Sequence, residues 1–119
     1  MSYKVVVPGH GDFSRVPGLH ASLETLYNNT RYDRCEVYAY KAVPTYSKCK
    51  YIWKEGYWTD FMMMEQGNES HVLLLLDDVK PRHNFSVKRM IDAMHTFDLD
   101  MVSSAIQKFH SFVSPTLQP

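Results

Sequence analysis

The sequence predicts one α/β domain with a mostly parallel sheet flanked by helices, and three observations carry that prediction. Strand-like apolar runs alternate with stretches of helical period. The run "HVLLLL" (71–76) is apolar on consecutive positions, as in a central strand covered on both faces. No repeat, linker or low-complexity stretch divides the chain, whose 119 residues suit a single domain.

The elements follow in order. Lys4-Val5-Val6-Val7 reads as a short buried strand, closed by a Pro8-Gly9-His10-Gly11 loop. Leu19, Leu23, Leu26 and Tyr27 recur at helical spacing, and Asn28-Asn29 end that helix. "CEVYAYKAV" (35–43) alternates and is rich in Val and Tyr, which predicts the second strand. "KYIW" (50–53) is a third, ended by Gly56, and 58–66 reads as a Met-rich helix. After the fourth strand at 71–76, Val87, Met90, Ile91, Met94 and Phe97 form an i, i+3, i+4, i+7 stripe, with Ser86 or Asn84 as cap. "LDMVSSAI" (99–106) completes the expected sheet. Residues 1–106 then form the domain and 107–119 a tail.

Thirteen basic residues balance thirteen acidic ones, which argues against a nucleic-acid or anionic-membrane surface. No apolar run approaches the roughly 20 residues of a membrane span, and the first residues turn polar too soon for a signal peptide. Cys35 and Cys49 have no CxxC or zinc spacing; reduced thiols are the first expectation and a disulfide between them the alternative. Against the cytosolic placement this suggests stand three glycosylation sequons, at Asn28, Asn68 and Asn84.

Ligands of open parallel sheets bind outside the carboxyl ends of the strands. Three segments are expected there: Pro8 to Asp12, Ala39-Tyr40-Lys41, and Asp77-Asp78. Adjacent carboxylates repel, and a divalent cation relieves that repulsion. Mg²⁺ or Mn²⁺ typically takes one or two carboxylates plus substrate phosphate oxygens. Lys80, Arg82 and His83 follow directly and add positive charge suited to phosphate. The plainer alternative is that the pair closes the strand in a turn, with Pro81 setting the loop. The other histidines have no HExxH or comparable ligand spacing, Met62-Met63-Met64 suits core filling, and Trp53, Tyr57 and Trp58 suit core or rim packing or stacking on a base.

The stretch "HVLLLLDDVKPRHNFSVKRMIDAMHTFDLDMVSSAI" resembles the central segment of GT-A-type glycosyltransferases, in which a hydrophobic strand ends in a DxD or DDD motif ahead of a helix and an "LD-V-S" strand. "IWKEGYWTDFMMM" is similar to the helix leading into that strand, and "KVVVPGHGD…LHASLETLYNN…CEVYAYK" matches the Rossmann-like nucleotide-binding half in organisation. The resemblance spans about the first 106 residues and implies binding of a nucleoside diphosphate sugar through Mn²⁺ or Mg²⁺, with transfer to an acceptor hydroxyl on a glycan or protein. By position, Asp78 corresponds to the motif's last aspartate, the metal ligand, and Asp77 to its middle one. Leu76 stands where a DDD form begins; read as Asp77-Asp78-Val79, the motif lacks its last ligand instead. Gly9, His10, Tyr40, Lys41 and Asp77 correspond to the nucleotide pocket. The family's second half, which bears the acceptor site, has no counterpart here. The alternative expectation is therefore a truncated, non-catalytic module kept for binding or protein association.

Overall fold

The computed structural model describes residues 2–53, 67–82 and 85–102. Its contacts divide the chain into two compact units, residues 1–88 and 89–119.

The first unit holds a four-stranded sheet of order β3-β2-β1-β4, made of β1 (Tyr3–His10), β2 (Arg34–Ala39), β3 (Lys50–Trp53) and β4 (His71–Leu74). Every pairing is parallel: Lys4 lies opposite Arg34, Glu36 opposite Lys50, and Tyr3 opposite His71. The α/β class with a parallel sheet is thus as expected. Helix α1 (Val16–Asn29) connects β1 to β2, with proline in its first turn where a missing N–H costs least.

The core is built on the period-two alternation of the strands. Val5, Val6, Val7 and Val37 are fully buried, as are Leu19, Leu23 and Leu26 of α1. Val16 of α1 packs with Ala39 and Val43 on one face, and Val6, Tyr38 and Ile52 cluster on the other. That second face also carries Lys4, whose ammonium lies 3.1 Å from Glu36. Two such buried charges are tolerable only as a pair.

The strand β1 runs through His10, rather than ending at Val7 as predicted. Val7 pairs with Val37 and His10 with Ala39, so three steps on β1 match two on β2. The extra residue is a β-bulge, and Gly9 adopts the left-handed φ of 61° there. The placement of β4 also differs from the prediction within the described residues. Among the described strands it forms an edge, and Val72, Leu74 and Leu76 are exposed while Leu75 is buried. An unbroken apolar run records hydrophobicity on both faces but not what covers them. β1, flanked by β2 and β4, is central instead.

Of the two thiol states, the less favoured holds: Cys35 and Cys49 form a disulfide joining the start of β2 to the residue before β3. Parallel pairing of β2 with β3 brings their first residues together, a proximity that fourteen residues of separation conceal.

Helix α2 (Val87–Phe97) matches the predicted stripe; its Val87 and Ile91 are buried and Phe97 is exposed. The chain turns at Asp98, whose φ is 54°, with the Leu99 N–H bonded to the Met94 carbonyl. Leu99 to Val102, the start of the expected fifth strand, are not extended in a sheet. The rest of that strand, the 58–66 helix, His83, Asn84 and the predicted boundary at 106 lie outside the described residues. No described helix is long and apolar enough to cross a membrane.

Candidate functional site

In the order β3-β2-β1-β4 the connections run outward from β1 in one direction to β3, and β4 then lies on the other side. The switch point, where parallel sheets open a crevice at their carboxyl edge, lies between β1 and β4. His10 ends β1 there, and Asp77 follows β4 by three residues.

The two meet. His10 Nδ1 lies 2.9 Å from Asp77 Oδ2, and Arg15 Nη1 donates to Asp77 Oδ1 at 3.2 Å. His10 is completely buried and the Asp77 side chain nearly so, whereas Arg15 is half-exposed. His10 makes this contact from just past the bulge, where it lies opposite Ala39 of β2. Asp77 is in turn placed by the Leu76–Val79 turn, closed by a 3.2 Å hydrogen bond. Ser22 Oγ of α1 donates to the Val79 carbonyl at 3.4 Å and ties that turn down. The turn reading of Asp77-Asp78 therefore holds for the local backbone.

Arg15 ends a short 3-10 turn, Phe13–Arg15, capped by Asp12, which accepts from the Ser14 N–H at 2.9 Å and the Ser14 hydroxyl at 2.7 Å. Those bonds hold the Asp12 carboxyl below its usual range. The charge of Asp77, foremost, raises the Arg15 guanidinium above its ordinary value, and Asp78 and Asp12 add to the effect. His10 Nε2 is buried with no hydrogen-bond partner among the described residues.

Tyr40 and Lys41 follow β2 on the same edge, and the Tyr40 N–H bonds the His10 carbonyl at 3.0 Å. The Tyr40 ring lies so close to Gly11 that a Cβ there would fall 2.5 Å from Cζ. Lys41 Nζ is 6.0 Å from the centre of that ring. Phe13, Tyr40 and Trp53, at the ends of β1, β2 and β3 respectively, are all exposed. Phe13 and Arg15 are the residues that sequence reasoning missed. The only available signal was their place directly after the PGHGD loop.

Compared with protein-family models, with curated proteins and with solved structures, the chain matches none.

The predicted residues Gly9, His10, Tyr40, Lys41, Asp77 and Asp78 thus share one edge, but they do not form one ligand set. Among the described residues no three His, Cys, Asp or Glu side chains are placed to hold a metal ion. Both oxygens of Asp77 are already engaged, Oδ2 by His10 Nδ1 and Oδ1 by the Arg15 guanidinium. Asp78, by contrast, is exposed. At the opposite edge, Tyr27, Arg31, Tyr32, Asp33 and Lys48 line a concavity of about 420 Å³. Arg31 and Lys48 there already lie over the Tyr27 ring, at 5.3 and 5.0 Å from its centre.

Proposed function

We propose that this chain is the donor-binding half of a glycosyltransferase and holds a nucleoside diphosphate sugar at the carboxyl edge of its sheet. One observation carries the reading: the β1 bulge loop, Tyr40-Lys41 and Asp77-Asp78 converge at the end of a parallel sheet, around its switch point. The amino end of α1 faces this edge too, and a helix N-terminus favours phosphate.

Within this reading the residues divide the work. Exposed Tyr40 and Trp53 offer ring faces for a base, the stacking that nucleotide sites use widely. Lys41 supplies positive charge for the phosphates. Asp77 serves the nucleotide indirectly, by anchoring Arg15 and His10, and Asp78 contacts the cation. A bound Mn²⁺ or Mg²⁺ would neutralise charge on the diphosphate leaving group. The acceptor would be a hydroxyl of a glycan or a protein.

Calorimetry with UDP and with GDP, with and without Mn²⁺, tests the proposal. Heat that depends on Mn²⁺ is expected for one nucleotide and is lost in Asp78→Asn. Absence of metal-dependent heat with both would end it. The engagement of both Asp77 oxygens within the protein favours a second reading, a non-catalytic module kept for association. There Asp78→Ala leaves every titration unchanged.

A further inference from the structure

Four asparagines and sixteen serines and threonines in this chain would give about half a sequon by chance. Three of the four asparagines begin one. Two of these, Asn28 and Asn68, lie among the described residues, and both side chains are exposed.

Their positions share one property. Asn28 lies in the last turn of α1, which delivers the chain to the start of β2, and Asn68 lies three residues before β4. Both therefore sit at the amino edge of the sheet. Local contacts confirm that edge. The Tyr3 hydroxyl donates to the Thr30 carbonyl, and the Ser70 hydroxyl donates to the Ser2 carbonyl at 2.8 Å. The candidate ligand site occupies the carboxyl edge, about 23 Å away along β1 at the usual strand rise.

The turn bearing Asn68 is held from below. The Arg34 guanidinium lies across Gly67, where a Cβ would fall 2.1 Å from Nη2, and Arg34 donates to Glu69 Oε1 at 3.0 Å. With Gly67, Glu69 and Ser70 engaged by the body of the domain, the exposed Asn68 side chain is left to point outward. The Cys35–Cys49 disulfide supplies an independent observation, since such bonds persist in the oxidising compartments where asparagine glycosylation takes place.

We propose that Asn28 and Asn68 carry N-linked glycans, crowded at the edge opposite the ligand site. Each side-chain amide nitrogen forms a bond to the anomeric carbon of an oligosaccharide carried on a polyisoprenoid diphosphate. The bond from that carbon to the phosphate oxygen breaks, the lipid diphosphate leaves with the electron pair, and the amide proton passes to a base. The glycans shield the amino edge, including the exposed Asn28 and Asn68 turns, and leave Tyr40, Lys41 and Asp78 open. The proposal stands independently of what the ligand site binds, and it places the mature chain in a secretory lumen.

Mass spectrometry of the protein isolated from the cells that make it provides the test. Treatment with peptide N-glycanase in heavy-oxygen water converts a glycosylated asparagine to labelled aspartate. Labelled aspartate is expected at 28 and 68, with the Cys35 and Cys49 peptides still joined when reductant is omitted. Unlabelled asparagine at either position overturns the assignment for that position, whatever the nucleotide titrations return.

Discussion

Asp77 and Asp78 are neighbours with opposite surroundings, and the difference sets their separate consequences. Removing the Asp77 carboxylate takes from buried His10 its Nδ1 contact and leaves Arg15 with Asp12 as its ion-pair partner. Asp77→Ala should lower unfolding free energy by roughly 1–3 kcal/mol, the cost of an orphaned buried polar group, read by urea denaturation. Asp78→Ala, at an exposed turn position, should stay within about 0.5 kcal/mol of the parent. Equal losses for the two would mean that the His10 contact contributes nothing. Gly11 offers a second test at this scale. A methyl group there must displace the Tyr40 ring, which is half-exposed. Under the proposed nucleotide-binding reading, Gly11→Ala is expected to weaken binding in the same calorimetric titration, and in a Tyr40→Ala background the Gly11 substitution should have no further effect. The acidic pair was visible in the sequence, but which oxygen meets which cation was not. The His10 pairing joins residues sixty-seven positions apart.

At the level of elements, legibility followed local pattern. β3 and α2 have the bounds their periodicity predicts, because each is specified by side chains within its own span. β1 was read three residues short: Pro8 and Gly9 are ordinary strand terminators, and only pairing with β2 lets the strand continue past them. β4 was read as central because its leucines are consecutive, yet strand order is a property of the sheet. The disulfide belongs to this scale as well, since it clamps the 35–49 crossover between two parallel neighbours. Closing a loop of this length restricts the unfolded chain by about 3 kcal/mol. Cys35→Ala with Cys49→Ala should lower the denaturation midpoint accordingly, and reductant should do the same to the parent but nothing to the double variant.

The whole molecule shows its folding in its tyrosines. Burial pushes the Tyr32 phenol up to about 12 from an ordinary 10.0. Tyr3, Tyr46 and Tyr51 are also raised, burial again the main cause. A group that holds its proton more tightly when folded favours the native state fully below its unfolded pKa. Stability should therefore be unaffected by these groups below pH about 10 and decline as pH rises toward about 12. An alkaline titration followed by circular dichroism and tyrosinate absorbance should show part of the absorbance rising only as the fold is lost. Ionisation of all eight tyrosines near pH 10 with the fold intact would contradict it.

The order of residues by itself determined the α/β class, the parallel sheet, the helix at 87–97 and the acidic pair after a strand, because hydrophobic period and turn chemistry are local properties. Only the tertiary structure decided the strand order, the β1 bulge, the contact of His10 with Asp77, the Cys35–Cys49 bond and the placing of Asn28 and Asn68 at the amino edge. Each of those requires two distant segments to lie side by side, and such proximity is a property of the assembled sheet rather than of any stretch of chain.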